Sequence, residues 1–374
     1  MAWWPSVHRS RVRFVAATEA DAGDPEQGVT TDHRALRGRV RAADVAAAAN
    51  VSISTVSLVV NDKWEGRVAA DTVTRVRSAV DRLGYVVDES ARRLATGAAG
   101  AVVVVTPAFT NPFYARVSLG AAAALGSDHQ VLFTVPELGD DPVSTLSRLQ
   151  GVRLAGVLVA APSAELVRAL PADLPTVVLD APGVGTGRPR VDLDVRDGAR
   201  QLAAHLLGLG HRQVAFMNAT PETETFAIRR EMLAAALRSS GAELVHVDRL
   251  ASDVDAGAAH GAALAAMPEL VAADVTAIVC ATDLHAYGLL RACADRGIRV
   301  PDHWSVAGFD DQPLSAYVSP ALTTVAFPAD ELGRQAGRLL AELMAADTRA
   351  PETPASIVLP VTLVVRSSTS RVRS

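Results

Sequence analysis

The chain has 374 residues, is 49% hydrophobic and 21% charged, and carries a formal charge of -5. These figures exclude a mini-protein, a disordered tail protein and a collagen-like repeat, and at about 100 to 200 residues per domain they leave room for a small accessory domain beside a large one. Cys280 and Cys293 stand apart from any CxxC or metal-ligand cluster, and no apolar run approaches the roughly 18 residues of a membrane span, so neither a disulfide scaffold, a zinc site nor a spanning helix is expected.

Residues 1–38 mix Arg9, Arg11 and Arg13 with Asp21, Asp24 and Glu26 and show no sustained periodicity, which reads as a disordered arm. Its basic start is not followed by the apolar core or small-residue cleavage site of a secretory signal, so a cytoplasmic location is expected. Between Arg39 and Gly97 there are 9 basic and 7 acidic residues, a net of +2 on a chain that is acidic overall. A mildly positive segment on an acidic body fits a nucleic-acid-binding module joined to one that does not bind nucleic acid.

Arg41 to Ala48 forms helix readily, with Val45 and Ala49 on one face, and Asn50 tolerates the left-handed turn that stops it. Ser52 is a good N-cap for a second helix, Ile53 to Asn61, in which Val56, Val59 and Val60 make an apolar stripe while Ile53, Ser54, Ser57 and Leu58 face elsewhere. A third amphipathic helix from about Asp71 to Leu83 sets Val73, Val76, Val80 and Leu83 on one side and ends at Gly84. Two short helices, a tight turn and a supporting helix make a helix-turn-helix head.

The string DVAAAANVSISTVSLVVN, followed by RVAADTVTRVRSAVDRLGYVVDESARRLATG, resembles the head of the LacI family of bacterial repressors. The resemblance places Ile53, Ser54 and Leu58 at base-reading positions of a helix in the major groove, and matches Thr55, Ser57 and Asn61 to polar positions that bind backbone or bases. Leu58 stands where most members carry arginine; it can contact a thymine methyl but cannot make a bidentate pair to guanine, so the operator is expected to depart from the usual base at that step. Arg41 and Ala69 also depart from the usual helix-capping residues. Glu89 to Ala95 resembles the family's hinge helix, with Ala91, Arg92 and Leu94 matching residues that enter the minor groove and Leu94 as the wedge.

Beyond Gly100, apolar runs alternate with helical patterns: Val102 to Val105, Val131 to Val135, Gly156 to Ala160, Thr176 to Leu179, Val214 to Met217, Leu244 to Val247, Ala277 to Cys280 and Trp304 to Phe309. That alternation predicts parallel sheets of βαβ units in two doubly wound lobes, with ligand sites at the carboxyl ends of strands between them. NPFY at Asn111 to Tyr114, GHR at Gly210 to Arg212, and the stretch from Gly308 to Val325 beginning GFDD resemble the periplasmic-binding-protein-like sensor of the same family. The fold class is therefore an all-α head with an α/β body, divided as 1–38 arm, 39–86 head, 87–99 hinge and linker, 100–366 two-lobed effector-binding and dimerisation domain, and 367–374 tail.

By resemblance, the effector cleft should include Phe113, Tyr114, Asp180, Arg229, Thr282 and Asp310. Carboxylates accept from hydroxyls and a guanidinium donates a planar fork, so such a set can hold a sugar or a nucleobase-like ligand. The plainer alternatives are a loop-capping Asp310 and an Arg229 paired at the surface beside Glu231. Thr282 replaces the family's usual asparagine, Pro328 stands where some relatives place an aromatic ring, and His211 is expected to bond between the lobes. GVGTGR at Gly183 to Arg188 lacks the helix a dinucleotide loop must open, and P-loop, HExxH and GxSxG motifs do not occur, so an enzyme is not expected. The remaining competitor is a solute-binding protein, which the helix-turn-helix argues against. The reading is a cytoplasmic, homodimeric, ligand-responsive regulator, a repressor of a pseudo-palindromic double-stranded DNA operator, with a sugar-like effector and no cofactor.

Overall fold

The computed structural model describes residues 40–60, 62–85, 100–107, 110–126, 129–135, 152–182, 184, 187–346 and 354–373. Asn61, the hinge segment with Ala91, Arg92 and Leu94, and the arm lie outside the described residues. The chain divides into two units, residues 1–92 and 93–374.

In the first unit, α1 (Ala42–Ala49) ends on Asn50 at φ 54°, the left-handed turn that its short polar side chain tolerates. Arg41 lacks a capping oxygen, but its backbone N–H donates to Asp44 Oδ2 at 2.8 Å, half of a capping box. After a bend of 101°, α2 (Ile53–Val60) starts on Ser52, whose Oγ accepts from the Thr55 N–H at 3.1 Å. The third helix, α3 (Ala70–Leu83), begins without a side-chain cap at Ala69 and stops at Gly84, φ 64°. Val45, Ala46, Ala49, Val56, Val59, Val73, Val76 and Ala79 form the core. Ala79 sits at its centre, whereas Val80 and Leu83, expected on the buried stripe, pack half-exposed at its rim. The small side chain lets the three helices approach where a larger one would hold them apart.

The second unit contains two sheets. One runs in the order β12-β5-β4-β3-β1-β2, with β1 (Ala101–Val105), β2 (Val131–Thr134), β3 (Leu154–Ala160), β4 (Thr176–Leu179), β5 (Arg190–Leu193) and β12 (Ser356–Leu359), all paired parallel. The other runs β13-β11-β10-β9-β6-β7, with β6 (Gln213–Ala219), β7 (Glu243–Val245), β9 (Ala277–Cys280), β10 (Ser305–Asp310), β11 (Thr323–Ala326) and β13 (Thr362–Val364); β8 (Ala251–Ser252) also pairs with β6. Among the described strands only β13 runs antiparallel, on β11. Strands β5, β8, β11, β12 and β13 escape the apolar-run pattern because each has at most 4 residues and they mix polar with apolar positions, as in RVDL and TTVA.

Helices α4 (Pro112–Leu125) and α10 (Ala329–Ala345) pack together on the first lobe, with α5 (Ala164–Ala169) also following a strand of that lobe. On the second lobe, α6 (Val195–Gly208) packs with α7 (Glu224–Ser239), and α8 (Ala256–Ala272) with α9 (Asp283–Asp295). A Cβ on Gly333 would collide with the Val117 carbonyl, so only glycine allows α4 and α10 to approach as they do. The chain passes between lobes three times, after β5, after β11 and after β12. Crossings placed this way let one lobe rotate on the other with few backbone changes.

Residues after Arg366 are integrated into the second lobe. Ser368 is fully buried, its carbonyl accepts from Val306 N at 2.8 Å, and its Oγ accepts from Thr323 N at 2.8 Å. His211 does not bridge the lobes: its ring nitrogens meet Thr276 Oγ1 at 2.9 Å, Ser305 Oγ at 3.0 Å and the Ser370 carbonyl at 3.1 Å, all on the second lobe. Its polar ring is satisfied by strand ends and by the final segment, leaving nothing for the opposite lobe.

Candidate functional site

Two surfaces carry functional chemistry. On α2 the side chains of Ile53, Ser54 and Ser57 face solvent and Leu58 is half-buried, while Val56 and Val59 on the opposite face hold the helix in place. Ile53 is 56% exposed, an apolar side chain presented beside hydroxyls. Ser52 Oγ lies 2.7 Å from Ser54 Oγ and 2.9 Å from Thr55 Oγ1, so three hydroxyls gather at the first turn, where backbone N–H groups are also free to meet an anion.

The second surface is the cleft between the lobes. Asp180 follows β4, Thr282 and Asp283 follow β9, and Asp310 ends β10, so the parallel strands deliver their polar residues at their carboxyl ends. Asp180 at φ 48° and Asp310 at φ 113° both occupy backbone conformations that non-glycine residues rarely adopt; strain of that kind marks a functional constraint. Phe113 and Tyr114 lie on the first turn of α4, edge to face with centroids 5.1 Å apart.

Arg229, on α7, is 3% exposed, which overturns the surface-pair reading with Glu231. Its guanidinium carbon lies 5.1 Å, 5.0 Å and 4.7 Å from the ring centroids of Phe226, Phe309 and Phe327. Nη1 donates to the Ala281 carbonyl at 2.5 Å and stands 3.7 Å from Asp310 Oδ1. Phe226 is three residues before Arg229 on the same helix face, a spacing that the sequence displays. The ring absent at Pro328 is supplied by Phe327, one residue earlier.

Carboxyl groups outnumber the cation here. Burial pushes Asp180 up to about 7, against the pull of Arg229 and with a further push from Asp192. Burial likewise carries Asp310 well above the carboxylate range: Arg229 opposes it, while Asp283 and Asp180 reinforce it. Burial of the Tyr114 hydroxyl raises its titration, and Asp180 and Asp310 add to the effect. Tyr114, Asp180, Arg229 and Asp310 therefore lie near one another, and Phe113 joins them through Tyr114 and through Phe327, 6.1 Å between centroids.

Thr282 is used differently. It is the N-cap of α9, and its Oγ1 lies 2.8 Å from His285 Nδ1 and receives the His285 N–H at 3.4 Å, so the hydroxyl is engaged within the second lobe. Sequence reasoning overlooked the residue beside it. Asp283 is fully buried and accepts from Ser315 Oγ at 2.5 Å, Thr324 Oγ1 at 2.6 Å and the Gln312 N–H at 2.9 Å; a Cβ on Gly308 would strike this carboxylate. Asn111 and Gln312, both buried, were not named as site residues, although each lies within a quoted stretch, NPFY and Gly308 to Val325.

Several buried polar atoms make no hydrogen bond among the described residues: Thr106 Oγ1 just past β1, Asp180 Oδ1, Arg229 Nε and Gln312 Oε1. Buried polar groups are nearly always paired, so this concentration at strand ends suits a polar guest offering both donors and acceptors.

Residues 41–88 match the model of bacterial regulatory proteins of the lacI family, and residues 203–369 match a periplasmic binding protein-like domain. The transcriptional regulator reg1 of Streptomyces lividans is 33% identical over 347 residues, 88% of this chain and 96% of that protein. CelR of Thermobifida fusca is 32% identical over 343 residues, 87% and 96% of the two. Among solved structures, a CelR–cellobiose complex superposes with a TM-score of 0.61 at 28% identity, covering 88% of this chain and all, 100%, of that one. The lac repressor dimer bound to operator and the anti-inducer ONPF gives 0.73 at 26% identity, covering 89% and 100%. With a helix-turn-helix head, a two-lobed body and relatives matched over nearly their whole length, the chain belongs to the LacI family and is a ligand-responsive, DNA-binding transcriptional regulator rather than an enzyme.

Proposed function

We propose that this regulator is a cytoplasmic homodimeric repressor that releases or grips a pseudo-palindromic operator according to the occupancy of its interlobe cleft by a sugar-like effector. The observation that carries the effector assignment is the buried set of Asp180, Arg229 and Asp310 between aromatic rings, with polar atoms left unpaired. Carboxyls whose titrations are raised by burial can donate as well as accept, and beside a single guanidinium they suit a neutral polyol, whose hydroxyls also do both. The CelR neighbour, solved with cellobiose, supports the same class.

In this reading α2 enters the major groove with Ile53, Ser54 and Leu58 towards base edges and Thr55, Ser57 and Asn61 towards backbone or bases. Ala91, Arg92 and Leu94 enter the minor groove, where a Leu94 wedge repays its unstacking cost only when two hinges pair. The dimeric, operator-bound lac repressor supports that assembly. Only a ligand that binds open and closed lobes unequally can switch the pair of hinges.

The test is retention of genomic DNA fragments by the purified chain, with and without a panel of sugars and nucleobases. An enriched short inverted repeat whose retention changes with one sugar is the expected result. In Asp310→Ala that change should vanish while the repeat is still retained. A chain that retains no repeat under any condition, or an Asp310→Ala variant that responds as the parent does, refutes the reading.

A further inference from the structure

We infer that Gln312 and Asn111 form a latch across the cleft that holds the two lobes closed, an inference that rests on the proposed effector-binding role of that cleft. Asn111 belongs to the first lobe, as the N-cap of α4, and Gln312 to the second, two residues beyond β10. Gln312 Nε2 donates to Asn111 Oδ1 at 2.7 Å, with both residues buried.

Neither amide is free to reverse. The backbone N–H of Phe113 can only donate, and it meets the Asn111 side chain at 3.0 Å, so that atom must be the oxygen. The Gln312 atom facing an oxygen must then be its nitrogen, whose second hydrogen points to Asp310 Oδ2 at 3.5 Å. What remains is the Gln312 carbonyl, buried and without a partner in the protein.

Both halves are anchored before they meet. Gln312 is fixed by its own N–H, which donates to the buried Asp283 carboxylate, itself held by Ser315 and Thr324. Asn111 is fixed by its cap on α4. A short bond between two preset groups on separate rigid lobes is lost completely when the lobes part, whereas flexible surface groups would follow one another. Thr225 Oγ1 also crosses, donating to the Asp180 carbonyl at 3.0 Å. That bond ends on backbone, whereas at 111 and 312 both partners are side chains, so substitution at either one breaks the crossing. Gln312 therefore acts as a positioning residue for the effector site.

The experiment measures lobe separation in the full chain by electron spin distance measurement. Labels on Glu165→Cys, exposed on α5, and Val271→Cys, 61% exposed on α8, report the two lobes, and dilution with unlabelled chain isolates distances within one protomer. Cys280 and Cys293 are buried and stay unlabelled. Asn111→Ser keeps a capping hydroxyl on α4 but is too short to reach Gln312, and Gln312→Met keeps the length without the donor. Without ligand, each should reduce the short-distance population at least threefold, and the double variant should reduce it no further than either one. Unchanged distances, or effects that add, overturn the latch. If Gln312→Met does not fold by circular dichroism, Asn111→Ser alone decides.

Titration of the same proteins with cellobiose and ribose separates the two ideas. Where either sugar binds the parent, both variants should weaken it, Gln312→Met at least as much as Asn111→Ser because it also removes the buried Gln312 Oε1; binding undiminished in either variant counts against the latch. If neither binds, the sugar reading fails while the latch is judged on the distances alone.

Discussion

The head and the body place their functional residues in opposite environments. On α2 the base-facing candidates lie at the surface, with Ile53 56% exposed, whereas in the cleft Arg229, Asp180 and Asp310 are 3%, 4% and 5% exposed. A face that meets a large, preformed, hydrated partner costs its own fold little. A cleft that encloses a small guest must desolvate charged groups within the protein itself, and the raised titrations of Asp180 and Asp310 are the signature of that cost. The head can therefore change specificity by single substitutions without losing stability, while the body cannot.

The largest expected effect breaks the cleft. Arg229→Ala removes the cation that opposes the raised titrations of Asp180 and Asp310 and lies over three rings, and a buried partner lost in this way costs about 3 to 5 kcal/mol. Urea unfolding should show the body destabilised by that order; a loss below about 1 kcal/mol, the range of exposed pairs, would mean that the guanidinium is not a buried charge at all.

Leu58→Arg should act on the head in the reverse manner. Preference for guanine at one position of each half-site should rise by about 1 to 3 kcal/mol, the discrimination of one bidentate contact. Stability should stay within about 0.5 kcal/mol, as for other substitutions on a surface. Competition binding against base-substituted operators measures the first quantity, and an unchanged preference would show that α2 docks otherwise.

The smallest effect concerns pH. Asp180 titrates at about 7 in the folded chain and near about 4 when unfolded, so the folded state binds the extra proton. Its contribution to stability is full below about pH 4 and declines as pH rises to about 7. Between about pH 5 and pH 8 the parent should thus lose more thermal stability than Asp180→Asn. Equal losses in calorimetric scans would place the Asp180 titration at its ordinary value.

How far the sequence could be read differs along the chain for a physical reason. In the head, local signals agree with one another: Asn50 and Gly84 take left-handed turns, Ser52 caps α2, and valines repeat at helical spacing. In the body, most buried parallel strands are visible as apolar runs, but β11 is hidden by its threonines although it is an interior strand, and β12 and β13 are short edge strands that owe their conformation to neighbours. The family resemblance named Asp180 and Asp310, and the strand-end rule accounts for their place. It said nothing of Asn111, Gln312 or Phe327, whose roles depend on residues up to 201 positions away.

Sequence alone determined that this chain has a helix-turn-helix head on an α/β body, because helix periodicity, capping and strand alternation are short-range patterns that each segment carries in itself. Tertiary structure decided which of the candidate polar residues face one another. Arg229 is a buried cation among aromatic rings, not the surface partner of Glu231, Thr282 Oγ1 meets His285, and His211 bonds within one lobe. Those outcomes depend on how strand ends from distant parts of the chain converge and which groups lose water together, and burial of that kind is a property of the packed whole.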